Sequence, residues 1–406
     1  MLARPKLTVF ALVCGLAGYA CSTETIVRGL GGPTTPPPNP TETENGGCAE
    51  TETANPVTGE CVSNGPTGGA ELGNGTPESV TFTQIYAAKK KTTELVDLAF
   101  AEKDPTQLWV IGYGDDVVHV GSGVTGEANG TWKEYYDPAA MHFMHKPPAF
   151  AMGANGFWGI CGDNDNSQND PRMEPNYFMG PALFTSDLTI FAKATPDGLG
   201  SHYDMLHNTS FCRGIAWVEG NWFWTFNGEL GSLEKYNFAK DHGPGNDDHS
   251  DGEIYRYAKG QVKGVEGVSS HLVYDPSDKF LYIADTGNKR IGKLDTTSGT
   301  EGARLPRRNE TLVKGVVMDG TKVVDVVPAG TLEQPSGIEL KGGLIYVTDT
   351  ATSTFHVFDK AGTEVKKLAT GLEPGSLSGF TFGPDGKIWF TDRKAGKVLR
   401  IDPVAQ

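Results

Sequence analysis

The sequence predicts an all-β chain, a six-bladed β-propeller preceded by a signal segment and a disordered Pro/Thr/Gly-rich tether. Three observations lead there. The 53 Gly and 25 Pro among 406 residues favour short strands and frequent turns over long helices. From Leu95 onward a pattern of three short strands recurs, its copies roughly 43–65 residues apart, a period that signals small sheets repeated around a ring. Finally, Val80-Thr-Phe-Thr-Gln-Ile-Tyr86 alternates like a strand yet belongs to no copy of its own.

The chain starts with an export address. Arg4 and Lys6 precede an apolar run from Leu7 to Ala20, the charged and apolar regions of a secretory signal over residues 1–20. That run is too short to span a bilayer, and no other stretch approaches the length needed. Gly18-Tyr19-Ala20-Cys21 resembles a bacterial lipobox, which implies lipid on Cys21; the alternative is cleavage nearby with Cys21 an ordinary thiol. Ser22 after the cysteine, by analogy with lipoprotein sorting, points to an outer-membrane-anchored lipoprotein of a Gram-negative cell.

Residues 21–78 read as a flexible linker. Pro33, Pro36, Pro37, Pro38 and Pro40 sit among alternating Thr and Glu with almost no aliphatic residues, so little apolar surface can offset chain entropy. Within it, Cys48 and Cys61 flank a Pro/Gly turn, which in an exported chain suggests a small disulfide loop. Cys14 leaves with the signal, so Cys161 remains for Cys212 and no free thiol is left as a nucleophile. With 35 basic against 50 acidic residues the net charge is −15, which argues against nucleic acid; membrane contact is expected only through the lipid.

Residues 79–406 carry the repeats. The clearest copy runs from His271-Leu-Val-Tyr-Asp through Phe280-Leu-Tyr-Ile-Ala-Asp285 to Arg290-Ile. Gly337-Ile-Glu-Leu with Leu344-Ile-Tyr-Val-Thr-Asp349, and Gly379-Phe-Thr-Phe with Ile388-Trp-Phe-Thr-Asp392, repeat it. Weaker copies start at Asp97, Ala149 and Gly214. The strongest units resemble NHL repeats, and as a whole the chain resembles bacterial NHL-repeat propellers of unassigned activity, which implies architecture only. The last unit stops after its third strand, Lys397-Val-Leu-Arg-Ile401, so Val80–Tyr86 is expected to supply the missing outer strand and close the ring. Cys161, at the end of an inner strand, and Cys212, at the start of the next blade, are expected to face one rim.

In such a ring, one mouth of the axial channel is built from the connections into each innermost strand and the turns between second and third strands. Convergent polar groups there are the default ligand site. The histidines cluster at these positions: His142 and His145 before blade 2, His202, Asp204 and His207 before Arg213 and blade 3, and His271 at the start of blade 4. All are expected in loops or strand ends. Three neutral imidazoles suit Zn²⁺ or another divalent transition metal. Val268-Ser-Ser-His271-Leu followed by Ile283-Ala-Asp285 resembles a ligand segment of peptidyl-hydroxyglycine amidating lyases, also six-bladed propellers that hold zinc with histidines. The same column elsewhere reads Asp97, Ala149, Gly214, Gly337 and Gly379, so a metal would have to recruit His145 or His207. The alternatives are imidazoles bonded to loop backbone, or a metal-free cleft.

A second cluster, His242, Asp247, Asp248, His249 and Asp251, joins the third and fourth strands of blade 3, on the opposite face or outer edge. It suits Ca²⁺ through oxygen, a transition metal through nitrogen, or a solvated acidic turn. Asp163-Asn-Asp165-Asn-Ser167 resembles a calcium loop but lacks its Gly and closing Glu. Asp285, Asp349 and Asp392 recur at one turn, and Trp109, Trp158, Trp224, Tyr282, Tyr346 and Trp389 occur once per unit, so both sets read as structural. No nucleophile elbow, HExxH, P-loop or dinucleotide fingerprint is present. Two functions remain: an exported scaffold that binds a small ligand, glycan or protein at the propeller face, or a metal-dependent lyase or hydrolase. In the second, His207 and His271 ligate, and Arg213, His202 and Asp204 are the catalytic candidates.

Overall fold

The computed structural model describes residues 52–54, 61–63, 68–90, 93–165, 179–246, 248–306 and 311–404. The expected signal segment over residues 1–20, Cys21, Cys48 and Asp247 lie outside the described residues. The chain divides into two units, Met1–Ser63 and Asn64–Gln406. In the first, Glu52–Ala54 pairs antiparallel with Cys61–Ser63, Ala54 opposite Cys61.

The second unit is a six-bladed β-propeller. Blade 1 comprises Leu95–Phe100, Leu108–Gly112, Val118–Val124 and Asn129–Tyr135, innermost strand first. Blade 2 comprises Ala149–Met152, Phe157–Cys161, Ala182–Thr185 and Asp204–Met205; blade 3, Cys212–Glu219, Trp222–Asn227, Ser232–Asn237 and Glu253–Tyr257. Blade 4 comprises Leu272–Asp275, Phe280–Asp285, Arg290–Asp295 and Val323–Val327; blade 5, Pro335–Lys341, Leu344–Asp349, Thr354–Asp359 and Glu364–Ala369. Blade 6 is Leu377–Phe382, Ile388–Asp392 and Lys397–Pro403, completed by Val80–Ala87 from the other end of the ring. That closing strand pairs antiparallel with the last, from Lys397 opposite Ala87 to Pro403 opposite Val80, and removes two free edges.

The core lies between blades rather than within them. Six clusters of buried side chains each join two neighbouring sheets, as where Trp109 of blade 1 meets Trp158 of blade 2 at 5.5 Å and Phe100 meets Trp389 of blade 6 at 5.3 Å. The aromatic that recurs once per blade is buried in every case. Near the axis, blades 3, 5 and 6 demand glycine. A Cβ on Gly214 would come within 2.0 Å of the Ser270 carbonyl oxygen, one on Gly337 within 2.5 Å of that of Ser378 and one on Gly379 within 2.7 Å of that of Val96, so these three innermost strands admit the backbone of a neighbouring blade. The turn acids also pin backbone: Asp285 accepts from the Lys263 N–H at 2.8 Å, Asp349 from Glu333 at 2.6 Å and Asp392 from Ala395 at 3.1 Å. Cys161 and Cys212 form a disulfide that staples blade 2 to blade 3.

Several features depart from the expectation. Blade 3 carries two extra strands, Thr300–Arg304 and Lys314–Asp319, inserted between the third and fourth strands of blade 4; the latter runs parallel to Glu253–Tyr257. Thr300–Arg304 is exposed throughout and shows no apolar alternation to betray it. Residues 68–79, read from composition as linker, pack on blades 5 and 6. Leu72 is fully buried there, and Glu71 accepts from the Tyr346 hydroxyl at 2.7 Å and pairs with Lys341. His142, expected in a loop, sits in the one-turn helix Ala140–Phe143, and His249 opens a 3₁₀ turn. Asp204 belongs to the outermost strand of blade 2 rather than to the connection into blade 3, because it pairs with Leu183.

Candidate functional site

The mouth face holds a depression of about 470 Å³. It is assembled from second–third-strand turns and inward connections of blades 1 to 4. Its floor is a polar triad of buried Arg213 and Asp163 with half-buried Tyr113: the Arg213 guanidinium pairs with Asp163, which also accepts from the Tyr113 hydroxyl at 2.8 Å and the Gly267 N–H at 3.3 Å. Gly228 and Gly264 make room for the arginine, since a Cβ at either would approach its side chain within 3 Å. Arg213 Nε is buried without a hydrogen-bond acceptor. Exposed Lys146 and Glu266 stand at the rim. The Tyr113 hydroxyl is held well above its ordinary range by burial and by the Asp163 charge, so it remains a donor.

On the axis, the channel is pinched by residues from opposite sides of the ring. Asp97 of blade 1 and His271, just before blade 4, face each other with Asp97 Oδ1 3.7 Å from His271 Nδ1. Asp97 accepts from the Leu98 and Phe150 N–H groups at 2.9 and 3.0 Å. Burial nevertheless raises its carboxyl well above the usual range, and the neighbouring Glu339 charge adds to that. Burial raises Glu339 to about 8 and lowers His271 to about 4. Neutral forms of all three are therefore favoured in this pocket of about 280 Å³, which opens toward the face away from the mouth. His271 Nε2 is buried with no hydrogen-bond partner. On the mouth side, Ser269 donates to the Pro148 carbonyl at 2.7 Å.

The expected metal residues are dispersed. His145 Nδ1 lies 2.9 Å from Asp116 Oδ2 at the seam of blades 1 and 2. His142 packs edge-on to Phe143, whose other neighbour is the fully buried His202, stacked at 3.6 Å with Nδ1 2.8 Å from the Leu199 carbonyl oxygen. His207 is buried against the His249 ring, centroids 5.0 Å apart. Among the described residues, no three of His142, His145, His207 and His271 bring ligand atoms within 4.8 Å of one another. One group does meet that criterion, Asp204, His242 and Asp251, which joins a residue assigned to the mouth with two from the second cluster. Asp248 instead caps the 3₁₀ turn, accepting from the Ser250 N–H at 3.0 Å. The axial Asp97 and Glu339 are not among the residues the sequence points to; the available signals are a carboxylate at Asp97 in the column that holds Gly214, Gly337 and Gly379 in other copies, and one at Glu339 where they have Ala, Val or Thr.

No family model and no curated protein matches the chain. Solved propellers do. An auxiliary nutrient-binding protein from Bacteroides thetaiotaomicron aligns with a TM-score of 0.52 at 13% identity, over 80% of this chain and 76% of its own. A streptogramin B lyase aligns at 0.49 and 15% identity, over 81% and 99%, and a virginiamycin B lyase from Staphylococcus aureus at 0.47 and 12%, over 80% and 100%. At such identities the likeness concerns architecture; the strand order, with the alignment to the nutrient-binding protein beside it, establishes the second unit as a six-bladed β-propeller.

Proposed function

We propose that the chain is an exported propeller lipoprotein, held at the cell envelope by lipid on Cys21, that works as a binding scaffold for a polar ligand of oligosaccharide type at the mouth depression. The observation that carries this reading is the built floor of the depression, where Tyr113, Asp163 and Arg213 hold one another in place beneath the rim charges Lys146 and Glu266. A preorganised polar floor costs a ligand little ordering, and a rim of both signs favours a neutral, hydroxyl-rich partner over a strongly charged one. The name of the nutrient-binding Bacteroides propeller agrees with this reading. A metal-dependent lyase or hydrolase at the mouth is less well supported, because His145 and His207 would have to leave Asp116 and His249 to reach a common ion.

The test is binding of the full-length chain to an array of envelope and plant oligosaccharides. Binding that weakens about tenfold in Lys146→Ala or Glu266→Ala, both exposed, with circular dichroism unchanged, supports the reading. Binding indifferent to both changes, or metal-dependent turnover of a bound ligand, contradicts it.

A further inference from the structure

The connection from Asn237 to Glu253 within blade 3 is far longer than the two to five residues that usually join antiparallel neighbours. It does not hang free. The His242 N–H donates to the Tyr203 carbonyl at 3.3 Å and the Gly245 N–H to that of His202 at 2.7 Å, so the loop crosses to the outer edge of blade 2. Gly245 and Gly252 seat it there: a Cβ on Gly245 would lie 2.5 Å from Thr195 Oγ1, and one on Gly252 2.6 Å from Leu206 Cδ2. Where the loop lands, two of its side chains converge with one from the outermost strand of blade 2. His242 Nε2 is 3.3 Å from Asp251 Oδ1 and 4.0 Å from Asp204 Oδ2, with Asp204 fully buried on the outermost strand of blade 2.

We propose that Asp204, His242 and Asp251 bind one divalent transition cation of the zinc class, which fastens this loop to the neighbouring blade. Ligands about 2.1 Å from a tetrahedral ion stand roughly 3.4 Å apart, so the His242–Asp251 spacing already fits and the Asp204 contact closes by about half an ångström. An imidazole nitrogen with two carboxylate oxygens suits Zn²⁺ or its first-row neighbours, whereas Ca²⁺ prefers six to eight oxygens. Water completes the coordination, since His242 and Asp251 keep 17% and 26% of their side chains exposed. The ion also offsets the cost of burying the Asp204 carboxylate. The site lies apart from the mouth and the axis, so it does not depend on the ligand reading above.

The experiment titrates the full-length chain, purified without a polyhistidine tag and stripped with EDTA, with zinc sulfate and separately with calcium chloride by calorimetry. Hydrogen exchange over residues 238–252 is followed with and without zinc. Expected are one zinc per chain, tighter than calcium, slower exchange of the loop, and affinity at least about tenfold weaker in both His242→Ala and Asp251→Asn. His145→Ala and His271→Ala leave it unchanged. Both test positions are partly exposed, and circular dichroism confirms that the variants fold. Absence of zinc uptake, zinc binding that survives both substitutions, or calcium binding as tight as zinc overturns the proposal.

Discussion

Removing the staple between blades 2 and 3 tests the energetics of the ring. Cys161 ends the second strand of blade 2 and Cys212 begins the inner strand of blade 3, with a separation of 51 residues. Closing a loop of that length lowers the entropy of the unfolded chain, which corresponds to about 4 kcal/mol at room temperature. Both positions are fully buried beside Ala149 and Ile215, so alanine at each leaves an apolar site without introducing an unpaired polar group. The double variant Cys161→Ala/Cys212→Ala should therefore lose about 3–4 kcal/mol in urea unfolding. Its denaturant dependence should steepen, because the unfolded chain is freed from a cross-link and exposes more surface. A loss below about 1 kcal/mol with unchanged slope would refute the argument that the bond acts by restricting the unfolded state.

Other expectations follow from single sites. Arg213→Met leaves the Asp163 charge buried and unpaired, and should cost about 3–5 kcal/mol by thermal or urea melts, with the Asp163→Asn/Arg213→Met pair recovering part of it. Gly214→Ala drives a methyl into the Ser270 carbonyl oxygen and should destabilise by several kcal/mol, of order 3, in the same assay. In the axial pocket, the folded state holds Glu339 protonated up to about 8 against 4.5 unfolded, so its stabilisation is complete below 4.5 and is lost as pH rises through 8. His271, lowered from 6.5 to about 4, contributes stability above 6.5 that is lost as pH falls through 4. Between 4.5 and 6.5 His271 opposes Glu339, while the raised Asp97 carboxyl acts in the same direction as Glu339; above 6.5 the His271 contribution is complete, so stability should fall as pH rises from 6.5 to 8, and Glu339→Gln should reduce that fall. A slope shared equally by the variant would contradict the assignment.

What the sequence made legible, and what it hid, follows from the range of the interactions. One buried aromatic per copy, the glycine column and the turn acids act locally and recur, so Trp109, Gly337 and Asp349 could be read directly. The closing strand was visible because Val80–Tyr86 had strand alternation and the last copy lacked a partner. The site was harder. Asp97 and His271 meet only because blades 1 and 4 oppose each other across the ring, a relation that no local pattern carries. Chain order sets Asp204 beside His202 and His207, and the strand it occupies is only two residues long, too short to show a period. Its pairing with Leu183 turns it outward to the loop of His242 instead. The added strands of blade 3 carry no repeat signal for a related reason: Lys314–Asp319 pairs in parallel with a strand of the preceding blade, and Thr300–Arg304 pairs only with Lys314–Asp319.

The mouth, the axis and the outer edge exist as described only in a ring sealed by its first strand. Hydrogen exchange of the amides in Val80–Ala87 measures that seal most directly. In a sealed ring their protection matches that of Ile388–Asp392 in the same blade and is lost only on global unfolding. Exchange of Val80–Ala87 at rates typical of exposed loops, while the remaining strands of blade 6 stay protected, would contradict it.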